Sequence, residues 1–155
     1  MRHVRNIFMA VLSGVLMLVV AVTAPSAHAD TPAAAQAPHS AAMAWDDQTG
    51  EALPAWDCNL GNVCFWNSFD GTGGRCMWDV ADPDWTSGSA TCSWATSRAV
   101  MSVYNRGTSS GLTGVVYYRN TGYNTRAGCT RQGQHGNLAG TYQLRSHQWT
   151  NGSCG

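Results

Sequence analysis

The sequence of 155 residues contains no lysine, so all nine of its basic residues are arginines. Its formal net charge is zero, and only 12% of its residues are charged. Binding nucleic acid through phosphate contacts needs an excess of positive charge, so this composition argues against a nucleic-acid partner. The many glycine and tryptophan residues (17 and 7) instead favour a compact β-rich domain.

Residues 57–155 also lack the motifs of common enzymes. They contain no glutamate and no HExxH or GxSxG motif. One proline separates Asp82 from Asp84, which is more typical of a polar turn than of paired catalytic carboxylates. Ser146 and His147 are neighbours, and neighbours on a strand point to opposite faces, so they do not form a nucleophile–base pair. We therefore predict a protein that is not an enzyme and needs no cofactor.

The N-terminus has the three parts of a secretory signal. Arg2 and Arg5 precede an uncharged apolar run over residues 7–22, and Ala-His-Ala ends at Ala29. This pattern predicts a cleaved signal peptide at residues 1–29. The alternative, a membrane anchor, usually needs about 20 apolar residues. No second apolar run follows, so the mature chain is expected to be secreted, without membrane contact.

Residues 30–56 are rich in alanine and proline and show no sustained periodicity. This composition predicts a disordered tail or pro-segment, followed by a folded domain over residues 57–155. Trp45 and Trp56 are exceptions, because either one could pack onto the domain.

All six cysteines lie in the predicted domain, and an even number in an exported chain predicts three disulfides. We predict the local pairs Cys58–Cys64, Cys76–Cys92 and Cys129–Cys154, because short loops close at little entropic cost. The alternative, a zinc site, is disfavoured because no CxxC pair is present. Disulfides would supply the stability that a small core lacks.

Short runs of β-branched and aromatic residues, bounded by turn residues, predict an all-β fold. They lie at residues 63–67, 75–80, 99–105, 115–119 and 142–149. The order aromatic strand, glycine turn, loop, serine-bearing strand occurs twice. Two such units would pack face to face as a sandwich.

Three short motifs resemble a known family. They are C-x-x-G-x-x-C-aromatic-Trp at 58–66, Ser-Val-Tyr-Asn-Arg-Gly at 102–107 and Ser-His-x-Trp at 146–149. They are similar to motifs of the secreted peptidase inhibitors of the streptomycete metalloproteinase inhibitor type. The resemblance covers about residues 57–149. It implies a βγ-crystallin-like double Greek-key sandwich and a tight-binding inhibitor of secreted proteases, with metalloproteases as targets of the best-known member.

The resemblance also bears on metal binding and on the inhibitory contact. Calcium-binding relatives of this fold carry Asp or Asn before each serine-bearing strand, but residues 97–101 and 141–145 contain no carboxylate. We therefore expect no metal. The family's inhibitory contact lies in the second half near a cysteine-constrained loop, and Cys129 occupies a similar place, although no second cysteine follows within a few residues.

Residues 123–133 are the best candidate for a contact loop. Arg126 and Arg131 would enter an acidic pocket of a protease, Thr130 would suit a small apolar pocket, and Cys129 would hold the loop rigid. The alternative is an ordinary surface loop.

The tryptophans suggest a second hypothesis, a carbohydrate- or cell-wall-binding module that stacks exposed rings on sugars. We expect Trp66 and Trp149 in the core and Trp85 to be the most exposed. A secreted toxin or structural domain is a third possibility. The leading hypothesis is a monomeric inhibitor whose partner is a secreted protease and which blocks the active-site cleft.

Overall fold

The computed structural model describes residues 43–139, 142–152 and 154, so the predicted signal peptide and residues 30–42 lie outside it. Over these ranges the chain is all-β and forms no helix, and hence none long and apolar enough to cross a membrane. The described residues form nine strands: β1 Met43–Asp46, β2 Ala52–Pro54, β3 Val63–Trp66, β4 Gly73–Trp78, β5 Ser102–Asn105, β6 Gly114–Tyr118, β7 Arg126–Arg131, β8 His135–Asn137 and β9 Ser146–Thr150.

The strands form two sheets. Sheet A has six strands in the order β2-β1-β4-β3-β5-β8, and sheet B has three in the order β7-β6-β9. β8 comes from the second half of the chain but pairs with β5 of the first half. In return, Asp82 of the first half forms a β-bridge with His147 in β9. This reciprocal exchange is consistent with a βγ-crystallin-like pair of Greek keys.

The internal repeat recurs in the backbone. The hydroxyls of Ser102 and Ser146 each accept a backbone N–H and donate to a backbone carbonyl in the hairpin turn of their own unit. The distances are 3.1 and 2.8 Å at Ser102, and 3.1 and 2.6 Å at Ser146. The two turns also contain left-handed residues at matching positions: 70, 71 and 73 in the first, and 122, 123 and 125 in the second. Both halves therefore fold by the same local rules.

An aromatic core fills the space between the sheets. Phe65 lies at its centre, with its ring centroid 4.7 Å from that of Trp85 and 5.6 Å from that of Tyr117. The prediction that Trp85 is exposed was wrong, because its ring stacks on Trp78 and is fully buried. Trp149 packs against the edge of the same core. Burial of several large rings supplies most of the driving force for so small a domain.

The boundary predicted between tail and domain at residue 57 requires correction, because residues 43–56 belong to the fold. β1 pairs in parallel with β4, and β2 pairs with β1. From this region Asp46 binds the buried guanidinium of Arg75 at 2.7 Å, and Asp57, the first residue of the predicted domain, makes a second contact with it. The alanine- and proline-rich composition concealed these strands, because their stability comes from partners that are distant in sequence.

Segment 52–58 covers the outer face of sheet A. Leu53 and Cys58 pack with Cys64 and Trp66 in a second, smaller core, and Trp56 lies against it. The ring centroids of Trp56 and Trp66 are 5.5 Å apart. Trp66 is therefore buried as expected, on the outer face of sheet A.

Three disulfides join Cys58 to Cys64, Cys76 to Cys92 and Cys129 to Cys154, the local pairs expected from the sequence. The first ties segment 52–58 to β3. The second closes the long loop that follows β4. The third attaches the C-terminal segment to β7.

Candidate functional site

The predicted contact loop, residues 123–133, is largely a strand. β7 occupies residues 126–131 and lies at the edge of sheet B, where it pairs with β6 on one side. An edge strand keeps one row of backbone donors and acceptors unpaired within its sheet. The segment is therefore extended and supported from one side, rather than a free loop.

Strand register decides which candidate side chains face outward. Cys129 lies opposite Val116 and Arg131 opposite Gly114, on the outer face of sheet B. Thr130 lies opposite Val115 on the core side. Thr130 is only 9% exposed, and its hydroxyl lies 3.5 Å from that of Tyr117. The role predicted for Thr130 in a protease pocket therefore requires correction, because the side chain is not accessible.

Arg126 and Arg131 are both exposed. Within the described part of the chain neither guanidinium forms an ion pair, whereas Arg75 and Arg145 do. Arg126 donates one long hydrogen bond, 3.4 Å, to the carbonyl of Cys154. Both guanidinium groups are thus available to bind the carboxylates of a partner, which arginine does in a bidentate manner.

The Cys129–Cys154 disulfide lies between these arginines on the same outer face. It packs on Gly114, where an added Cβ would lie 3.0 Å from the Cys154 sulfur. Beside it runs a shallow groove of about 610 Å³, lined by Thr113, Arg131, Gln132, Asn151, Gly152 and Cys154. The crosslink fixes the C-terminal segment against the sheet and gives this face a defined shape.

The turn between β6 and β7 projects beside Arg126 and is internally bonded. The N–H of Arg119 donates to the Thr125 carbonyl at 2.9 Å, and the Asn120 amide donates to the Thr125 hydroxyl at 2.9 Å. Ser146 anchors the turn from below. Tyr123 in this turn lies near Tyr118, with ring centroids 5.9 Å apart. Such a turn needs little further ordering on binding.

The two sheets differ in how their outer faces are covered. Segment 52–58 covers that of sheet A. The equivalent face of sheet B carries the C-terminal segment held by Cys154; Val116 and Tyr118 of the central strand are each only 8% exposed there, whereas Arg126 and Arg131 of the edge strand are exposed. We refer to this open surface, with Arg126, Cys129, Arg131 and the β6–β7 turn, as the open face.

A comparison with protein families gives this surface a context. The model of peptidase inhibitor family I36 matches residues 51–130, which is more than half of the 155-residue chain. The chain belongs to peptidase inhibitor family I36. The match runs from just before β2 into β7 and confirms the resemblance to the streptomycete metalloproteinase inhibitor type. No curated protein matches the chain.

Family membership makes the chain an inhibitor rather than an enzyme, with a protease as its class of partner. A disulfide-rich protease inhibitor is also consistent with an extracellular location.

Charge in this family I36 inhibitor is unevenly distributed along the chain. No acidic residue follows Asp84, whereas six arginines do: Arg98, Arg106, Arg119, Arg126, Arg131 and Arg145. The part of the chain after Asp84 is therefore positively charged, which favours a partner surface rich in carboxylates.

The ionisable side chains inside the inhibitor have structural partners. His147 accepts the N–H of Trp85 at Nδ1 (2.8 Å) and donates from Nε2 to the Val80 carbonyl (3.0 Å). Burial lowers the pKa of His147 to about 4, although the hydrogen bond to Val80 opposes this shift. With both ring nitrogens engaged, His147 is not available as a catalytic base.

One cluster could suggest a metal site, because the carboxylate of Asp47 lies near the sulfurs of Cys76 and Cys92. Those two sulfurs are bonded to each other and are not thiolate ligands. The Asp47 carboxylate instead accepts hydrogen bonds from Ser93.

The tryptophans do not support the sugar-stacking alternative. Four of them are buried: Trp66, Trp78, Trp85 and Trp94. Trp45 is 47% exposed, but in the described ranges no row of exposed tryptophans accompanies it.

Proposed function

We propose that this chain is a secreted inhibitor of a metalloprotease, which binds its target as a folded protein and covers the active-site cleft with the open face. The observation that carries this proposal is the open face itself. It is rigid and crosslinked, and it presents two arginines without ion pairs beside an edge strand. These features favour occlusion of the active-site cleft by a folded surface rather than catalysis by this chain.

Rigidity is the first requirement of such an inhibitor. A loop that relaxes on binding loses affinity through ordering, whereas a fixed surface loses little. β7 is held by β6 on one side and by the Cys129–Cys154 disulfide on its outer face. Protease clefts bind chains in the extended conformation, and the unpaired edge of β7 offers such a chain for strand addition.

Each candidate residue has a separate role in this proposal. Arg126 and Arg131 bind carboxylates near the cleft. Cys129 acts as a crosslink and not as a zinc ligand, because its sulfur is already bonded to that of Cys154. The catalytic zinc of a metalloprotease keeps an open position for water and substrate, and a surface that covers the cleft prevents substrate from reaching it.

The proposal is tested by titrating the mature protein against thermolysin, a zinc protease, and against the serine proteases subtilisin and trypsin. We expect near-stoichiometric inhibition of the zinc protease. Arg126→Ala and Arg131→Ala should each raise the inhibition constant by about tenfold, the scale of a strong interface contact. The control is Arg98→Ala, which removes the same charge from an exposed position outside the open face.

Unchanged inhibition in both open-face variants would move the contact elsewhere on the molecule. Binding to chitin or peptidoglycan without inhibition of any protease would instead favour the carbohydrate-binding alternative. Mass spectrometry of the exported protein should show Asp30 as its first residue, and sedimentation should show a monomer.

A further inference from the structure

We infer that the protease-contacting surface extends beyond the open face onto an apolar tip formed by Leu60, Val80 and Leu112, and that the target presents an apolar pocket for a branched aliphatic side chain. This inference rests on the proposed function and names the chemistry of its target.

The first evidence is exposure. Leu60 is 69% exposed, Val80 63% and Leu112 42%. Single exposed hydrophobic residues are normal on protein surfaces, but a cluster commonly marks an interaction site. These three come from separate segments: a turn closed by Cys58–Cys64, a loop closed by Cys76–Cys92, and the connection between β5 and β6.

The second evidence is that the three segments converge. Gly61, Asp79 and Leu112 line one depression of about 230 Å³, and Trp149 also contributes to its wall. Asp79 and Val80 line the adjoining depression, together with Asn62 from the same turn as Leu60. Backbone hydrogen bonds of 2.8 Å from Gly61 to Arg106 and from Arg106 to Asn62 join the turn to the β5–β6 connection.

The third evidence is the rigidity of Val80. The Val80 carbonyl accepts a hydrogen bond of 3.0 Å from Nε2 of the buried His147 ring. Asp82 and His147 exchange two backbone hydrogen bonds of 3.0 and 2.9 Å. The loop is thus bonded from its inner side while the side chain of Val80 faces solvent. A side chain presented in this way enters a pocket without a large ordering cost.

The fourth evidence is continuity with the open face. The Thr113 carbonyl accepts the N–H of Gln132 at 2.7 Å, and Thr113 lines the same groove as Arg131. Leu112 directly precedes Thr113, so the tip adjoins the Arg131 end of the open face. The combined surface places aliphatic groups beside a free guanidinium. Its partner therefore needs an apolar pocket with a carboxylate near its rim.

The test compares Val80→Ser and Leu112→Ser with Phe69→Ser in inhibition assays on thermolysin. Phe69 is 48% exposed, but it lies outside the apolar tip. Phe69 follows β3, whereas Leu60 precedes β3, so the two residues lie at opposite ends of that strand. We expect each tip variant to raise the inhibition constant by about tenfold, as expected for losing an apolar group from a pocket. Phe69→Ser and Val80→Leu should inhibit like the unmodified protein.

Thermal unfolding of each variant shows that the fold is retained. The inference is overturned if Val80→Ser and Leu112→Ser both inhibit as tightly as the unmodified protein while Arg131→Ala inhibits more weakly. If the unmodified protein inhibits none of thermolysin, subtilisin and trypsin, the proposed function fails, and the inference about the apolar tip fails with it.

Discussion

At the scale of single residues, His147 links the two halves of the molecule. Its ring bonds to Trp85 and Val80, both from the first half, while its backbone belongs to β9 of the second. The ring is fully buried and neutral. Protonation would place a hydrogen on Nδ1, where the Trp85 N–H already donates. The charged ring would therefore lose this hydrogen bond, and the folded state disfavours it.

Stability should therefore depend on pH. The pKa of His147 falls from 6.5 to about 4 on folding, so the unfolded chain binds the proton more readily between these values. The stabilisation is complete above pH 6.5 and is lost as pH falls toward 4, by about 3 kcal/mol. Denaturant unfolding between pH 4 and 7 measures this loss. Burial raises the pKa of Asp82 and opposes the effect slightly near the acid end.

The control for this prediction is His135→Gln, which changes an exposed histidine and should leave the pH dependence intact. Equal free energies of unfolding at pH 4.5 and 7 would show that His147 is not the group responsible.

Residue-scale features could be predicted from the sequence only where the evidence was local. The pairing of Cys58 with Cys64 follows from a short spacing. Thr130 and Trp85 were misplaced because their burial depends on strand register and on a bridge to a distant strand. No neighbouring residue signals either fact.

At the scale of elements, the β1–β2 hairpin completes sheet A. It covers the free edge of β4, and segment 52–58 covers the apolar outer face. The buried Arg75 has one carboxylate partner in this hairpin, Asp46, and removing it would leave Arg75 with Asp57 alone.

Deletion of residues 1–56 should therefore destabilise the protein. It exposes the smaller core and removes the ion pair of Arg75 with Asp46, at a cost of about 3 kcal/mol or more. Denaturant unfolding is the measurement, and a chain that begins at residue 43 is the matched control. The same midpoint for both chains would show that the hairpin adds no stability.

Elements rich in β-branched and aromatic residues were the predictable ones. β3, β4, β5, β6 and β9 all overlap predicted strands. β7 and β8 contain glycine, arginine and asparagine, which have little intrinsic strand preference, so their conformation depends on pairing with neighbours. The segment predicted from the sequence as a contact loop is therefore mostly a strand, and its contact with a protease stays a prediction.

At the scale of the whole molecule, charge is divided along the chain. Every acidic residue lies at or before Asp84, and six of the nine arginines follow it. Long-range attraction to an acidic partner raises the association rate and is screened by salt.

The association rate with the target protease should fall as salt rises from about 0.01 to 1 M, because the Debye length shrinks from about 30 to 3 Å. Stopped-flow inhibition measures this rate. The double variant Arg126→Ala/Arg131→Ala should show a weaker salt dependence of the association rate than the Arg98→Ala variant does. A rate that does not vary with salt would show that steering plays no part.

The exchange of strands between the two sheets also governs the order of events during folding. Sheet A is not complete until residue 137 is available, and the last disulfide waits for residue 154. A chain that emerges from its N-terminus therefore cannot finish its first half early. Because so many contacts join distant residues, we expect folding in milliseconds to seconds, after nearly the whole chain has emerged.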